Sequence, residues 1–285
     1  MPLAPHDRAF WQAIVQNDYA LPEGYTAAEC IPILLEFLAS PDGVLRDEFG
    51  YMIFAYWMVR QTLTPADMQA MIPELRSRLT QGIGEKGTDG VFVRSFAAVI
   101  LAQIVNEDNK QDFLTADDIH TMLEDGLTYL AAENDLRGYV EGKGWAHTIA
   151  HTADLLWFLT RSDKINADDL ARILEAIGDK FLVRSGSCFV HGEDDRIARA
   201  VVTIFFRGEL TLESQQAWLN RLIAITEAAD PAGGFDPLLH SAYFNVKTLL
   251  RTIYFKMRFN EVHGEFPHGE ALKATIFEGL KLFTQ

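Results

Sequence analysis

The chain has 285 residues, 48% of them hydrophobic, with 19 Phe and 5 Trp, which supports a sizeable core and excludes a disordered protein. A formal net charge of -15 argues against nucleic acid or an anionic membrane as partner, because neutralising phosphates requires surplus Lys and Arg. Two cysteines without CxxC spacing, Cys30 and Cys188, argue against a disulfide framework or a cysteine zinc site and fit a reducing compartment.

In chain order, the N-terminal MPLAPHDRAF lacks a basic segment followed by an apolar stretch, so it does not read as a secretory signal. A leading helix is expected at about 5–17. A recurring start signal then organises the sequence: Thr26 is followed by Glu29, Thr64 by Asp67, Thr115 by Asp118 and Asn166 by Asp169. Thr211 begins a weaker copy, with Glu213 one place early. Each pairs a capping side chain with an acid that suits the positive end of a helix, and Pro65 fits the first helical position. Three copies share a phrase, LTPADM, LTADDI and INADDL, at regular intervals, which indicates repeated units.

Each unit reads as two helices. The first helices fall at about 26–39, 64–81, 115–132, 166–182 and 211–227, and the second at about 44–60, 91–106, 145–160, 194–207 and 238–258. A trailing helix is expected at about 268–283. Phe181–Arg184 and Cys188–His191 read as loop, and a sheet is improbable because hardly any segment alternates polar and apolar residues. The longest strongly apolar run, Tyr51 to Val59, is too short to span a bilayer. The expected fold is therefore all-α: an irregular α-solenoid of about five helical hairpins, similar to HEAT or armadillo stacks, forming one domain over 1–285. A closed α/α toroid is the alternative. The expected location is the cytoplasm.

The segment Gly138 to Trp157, GYVEGKGWAHTIAHTADLLW, concentrates the chemistry. A continuous helix would stack His147, His151 and Asp154 on one stripe, at i, i+4 and i+7. If the hairpins stack, the starts of the second helices form a polar ridge. The ridge carries Arg46, Asp47 and Glu48; Arg94 and Ser95; His147, His151 and Asp154; Glu193, Asp194, Asp195 and Arg196; and His240, Ser241 and Asn245. A lone Arg94 inside VFVRSFAAVILA is expensive to bury unless paired, so a carboxylate from a neighbouring unit is its expected partner. The loops ahead of these helices carry more glycines than helix C-caps alone require.

The stretches VFVRSF and DLRGYVEGKGWAHTIAHTADLL, with the later Glu193 and Arg196 pattern, resemble the bacterial domain-of-unknown-function family 2785 over most of the chain. That resemblance implies an all-α, HEAT-like bacterial cytoplasmic protein and supplies no activity.

Three functional classes fit these residues. The leading one is a binding protein whose polar pocket takes a small anionic or metal-linked ligand through Glu48, Arg94, Lys143, His147, Glu193 and Arg196, with arginine forks and helix starts suited to an anion. The second is a metal-dependent hydrolase in which His147, His151 and Asp154 hold Zn²⁺ or Mn²⁺, with Glu141 or Glu193 as general base. The third is a protein-interaction scaffold, in which a hydrogen-bonded network on the ridge only fixes the packing. Nucleophilic catalysis lacks a motif: Cys188 and His191 are loop neighbours, and there is no GxSxG or phosphate loop. Paired acids for sugar hydrolysis (Glu141, Asp154, Glu193) rest on toroid analogy alone.

Overall fold

A computed structural model describes residues 7–228, 234–260 and 266–284, and the fold is all-α, with twelve α-helices among those residues. The start signals work as local chemistry dictates. Thr26, Thr64, Thr115 and Asn166 each accept a hydrogen bond from the amide three residues on, and the acid there reaches back to the cap amide. Thr211 caps through the Ser214 amide without the reciprocal acid. These caps open α2 (Ala27–Leu38), α4 (Pro65–Leu79), α6 (Ala116–Ala132), α8 (Ala167–Leu182) and α10 (Leu212–Ile223). The partner helices are α3 (Met52–Val59), α5 (Gly90–Gln111), α7 (Thr148–Thr160), α9 (Glu193–Arg207) and α11 (Pro237–Asn260), with α1 (Arg8–Gln16) leading and α12 (Gly269–Leu282) trailing. Residues 5 and 6 of the expected leading helix lie outside the described residues.

Three departures from the periodicity matter for the site. Val44–Tyr51 is a π-helix running into α3; its i→i+5 bonding continues to its end, where the Met52 amide donates to the Asp47 carbonyl. A two-stranded antiparallel hairpin, β1 (Tyr139–Val140) and β2 (Gly144–Trp145), stands where loop was expected. Because that hairpin consumes Trp145, α7 begins only at Thr148.

The contacts gather into two compact units, Met1–Leu155 and Leu156–Gln285. In the first, α5 is the central helix, packed by α2, α3, α4 and α6. It is long and apolar enough to cross a membrane, yet 78% of its apolar window is buried inside the fold, as befits a core helix. Phe92, Ile100, Ile104, Leu123 and Trp57 are fully buried around it. Cys30 is buried too, and that burial pushes its thiol up to about 11, where it is unreactive at neutral pH. In the second unit, α11 packs on α8, α9 and α12, and α10 on α8 and α12, around Phe181, Phe205, Leu219 and Ile253.

The caps give a direct test of the repeat signal. Thr115→Ala removes the side-chain half of one capping box, while the amide at 115 can still donate to Asp118, and should cost about 1 kcal/mol in urea denaturation. A midpoint unchanged from wild type would show that the box is redundant.

Candidate functional site

The ridge of the first unit is built around two arginines that have left water. Arg46, in the π-helix, is 0% exposed. Its guanidinium lies over the Phe92 ring at 4.1 Å. Nη1 donates to the Ser40 carbonyl at 3.0 Å, and Nη2 donates to the Asp47 carboxylate at 3.0 Å and the Lys143 carbonyl at 2.7 Å. The last bond ties the tip of the β1–β2 hairpin to the π-helix. It explains Gly144, which has φ +84°: a Cβ there would lie 3.0 Å from Arg46 Nη2. The glycine admits a buried cation rather than a ligand. Burial pushes the Asp47 carboxyl up, and Arg46 only partly offsets this. Lys143 Nζ turns outward to Asp89 at 2.5 Å.

Arg94, on α5, is also 0% exposed. It forks onto Glu133 through Nε (2.6 Å) and Nη2 (3.2 Å), and Nη1 donates to the Gln81 and Gly82 carbonyls. The expected partner carboxylate does come from the following hairpin, at the end of α6. Glu133 accepts the Asp135 amide as well, and Asp135 accepts from Arg137 and from the Gly87 amide. The loop from α6 to the hairpin is thus pinned residue by residue, with every Arg94 donor nitrogen turned to protein.

The histidines are arranged differently from the helical stripe. His147 precedes α7 with φ +50°, and its carbonyl accepts the His151 amide at 2.8 Å. Its ring stacks on Trp145 at 4.2 Å with the two planes nearly parallel, and lies 5.5 Å from the His151 ring. His151 is buried edge-on against Phe96, with Nδ1 3.1 Å from the Ser95 carbonyl. A carbonyl can only accept, so Nδ1 carries the proton. Ser95 in turn donates to the Ala146 carbonyl. Asp154 is half-buried on α7, while Glu48 and Glu141 are exposed. Among the described residues no group of three or more His, Cys, Asp and Glu is placed to hold a metal ion.

Glu193 and Arg196 belong to the second unit, at the start of α9. Glu193 is buried and accepts the His191 amide at 2.7 Å; Arg196 is half-buried. Beside them Asp194 accepts the Thr252 hydroxyl, and Asp195 meets Lys256 at 2.7 Å and Arg199 at 3.1 Å, bracing α9 against α11. Burial acts to raise the Asp195 pKa, but Lys256 and Arg199 outweigh it and hold the carboxyl below its usual range. Ser241 and Asn245 pin the glycine-rich loop before α9: Gly186 and Phe189 amides donate to their side chains, and Asn245 Nδ2 donates to the Ser187 carbonyl.

A concavity of this unit lies at the far ends of α7 and α9. A cavity of about 590 Å³ is lined by Trp157, Thr160, Arg161 and Asp163, by Val202, Thr203, Phe206, Arg207 and Glu209, and by Phe266. Phe206 and Phe266 meet edge to face at 5.3 Å. Trp157 is fixed by its Nε1 donating to Thr203 at 3.2 Å. The sequence signal here was thin: Trp157 closed the segment already singled out and Arg161 follows at i+4, but Phe206 and Phe266 carry no mark. Asp135 and Arg137 were visible only inside the DLRGYV phrase, and Glu133, two residues ahead of it, carried no mark.

The family described as Protein of unknown function (DUF2785) matches residues 79–255, well over half of the chain, and contains the whole Arg94–Glu133 lock and most of the cavity wall. No curated protein and no solved structure matches the chain.

Two outcomes follow. Arg94→Met removes the countercharge from buried Glu133 and should cost about 3–5 kcal/mol in chemical denaturation, with Arg94→Met/Glu133→Leu recovering most of it; a loss below about 1 kcal/mol for the single variant would show that the pair braces nothing. Because folding lowers the Asp195 pKa, its brace contributes stability above the unfolded carboxylate value near pH 4, and that contribution vanishes as pH falls through the folded value. The melting-temperature gap between wild type and Asp195→Asn should therefore be widest at pH 7 and shrink as pH falls below about 4, and a gap independent of pH would refute the ionic brace.

Proposed function

The chain belongs to the DUF2785 family, and from that premise we propose that it is a cytoplasmic small-molecule-binding protein whose site is the cavity beside Trp157. The observation that carries this reading is the cavity itself. Its size falls in the range of small-molecule sites, with apolar and aromatic walls and a few polar groups, and it is held by two helices, α7 and α9, rather than by loops alone. The two free thiols, Cys30 and Cys188, support a reducing interior. The repeated caps support HEAT-like hairpins as the building unit.

The ridge singled out by sequence takes the bracing role in this reading. All three donor nitrogens of Arg94 and both terminal nitrogens of Arg46 are turned to protein groups, so anion recognition would have to use other cations. The hydrolase alternative would need His147 and His151 to share an ion with a third ligand, and the described residues supply no such group.

A neutral solvatochromic dye such as Nile red tests the site. We expect one saturable site per chain in wild type and at least tenfold weaker binding for Val202→Phe, which fills the cavity, with helicity by circular dichroism retained. Phe206→Ala should weaken binding by removing a wall. Undiminished binding by both variants, or no saturable binding by wild type, would overturn the proposal.

A further inference from the structure

Four charged side chains line the cavity, and two of them are consumed. Arg207 donates from Nε to Glu209 at 2.7 Å, from Nη1 to the Thr160 and Ser162 carbonyls at 2.9 Å each, and from Nη2 to the Ile165 carbonyl at 2.8 Å. It gathers the carbonyls at the end of α7 and neutralises Glu209 in doing so. Arg161 and Asp163 remain, both exposed at the cavity wall.

Arg161 is held by π contacts instead of an acid. Its guanidinium lies 5.3 Å from the Trp157 ring centroid and 5.8 Å from that of Phe158, and its side chain makes no ion pair or hydrogen bond among the described residues. A guanidinium stacked on an aromatic face is oriented while its N–H donors stay free. In a chain with 40 acidic against 25 basic residues, an arginine left open at a cavity wall is an exception that asks for an anion. Asp163, two residues on in the turn after α7, has no ion pair among the described residues either, and asks for a cation. Of the rest of the lining, Trp157, Val202, Phe206 and Phe266 supply apolar surface, and Thr160 and Thr203 a hydroxyl each.

We propose that the ligand of this cavity is a small zwitterion with a bulky apolar side group, the class of aromatic and branched α-amino acids. Its carboxylate meets Arg161, its ammonium meets Asp163, and its side group lies against Phe206 and Phe266. Opposite charges on one carbon match two opposite charges two residues apart, Arg161 just past α7 and Asp163 in the turn that follows. This proposal rests on the binding reading above and adds to it the chemistry of the ligand.

The test is displacement of Nile red from the intact protein by phenylalanine and leucine. Phenylalaninamide, which lacks the carboxylate, and N-acetylphenylalanine, which lacks the ammonium, serve as controls. We expect the free amino acids to displace the dye, and each control to need at least a tenfold higher concentration. Arg161→Met should weaken phenylalanine about tenfold while leaving phenylalaninamide unchanged, and Asp163→Asn should do the same for phenylalanine relative to N-acetylphenylalanine. Equal displacement by all four compounds, or none by phenylalanine and leucine while the dye still binds, would overturn the zwitterion assignment and leave the binding site standing. Failure of the dye itself to bind would remove both.

Discussion

Two guanidinium groups with no exposure to water sit inside the first unit, and burying a charge costs several kcal/mol unless partners replace its hydration. Arg46 and Arg94 therefore dictate their surroundings. Arg94 takes a bidentate carboxylate from Glu133 and two carbonyls in the turn after α4, which fixes where α6 must stop and where the next loop must run. Arg46 takes the Lys143 carbonyl, which closes the β1–β2 hairpin onto the π-helix. The glycine at 144, the capture of the Gly87 amide by Asp135 and the late start of α7 are all consequences of meeting these demands.

The same demand separates bracing from binding. A charged residue in an apolar helix attracts a functional reading because it is costly, and Arg94 and His151 are costly residues. Their costs are met internally: a carboxylate for one, a carbonyl and an aromatic edge for the other. The groups left for an outside molecule are cheaper and more exposed, at the end of α7, where an arginine rests on a tryptophan face rather than on an acid. Perturbed and buried groups mark functional sites only when something remains unsatisfied.

Helix ends were readable because capping is a local matter. Thr64 and Asp67, or Thr115 and Asp118, are three residues apart, and the hydrogen bonds between them need nothing from the rest of the chain. The π-helix at Val44–Tyr51 had no comparable mark, since one extra residue per turn follows from what Arg46 must reach and from the contact of Gly50 with Leu38. The hairpin at 139–145 was hidden for a related reason. Two short strands leave no alternation to detect, and their closure depends on a carbonyl bond to a residue 97 positions away.

By itself the sequence determined the all-α class, the helix starts and the need of Arg94 for a carboxylate, because caps, periodicity and desolvation act over a few residues or on one side chain. Only the tertiary structure decided that the carboxylate is Glu133, that His147 stands outside the helix beside Trp145, and that Trp157, Arg161, Phe206 and Phe266 face one cavity. Those facts join residues up to 109 positions apart, and such distances are closed by packing, which leaves no period in the chain to read.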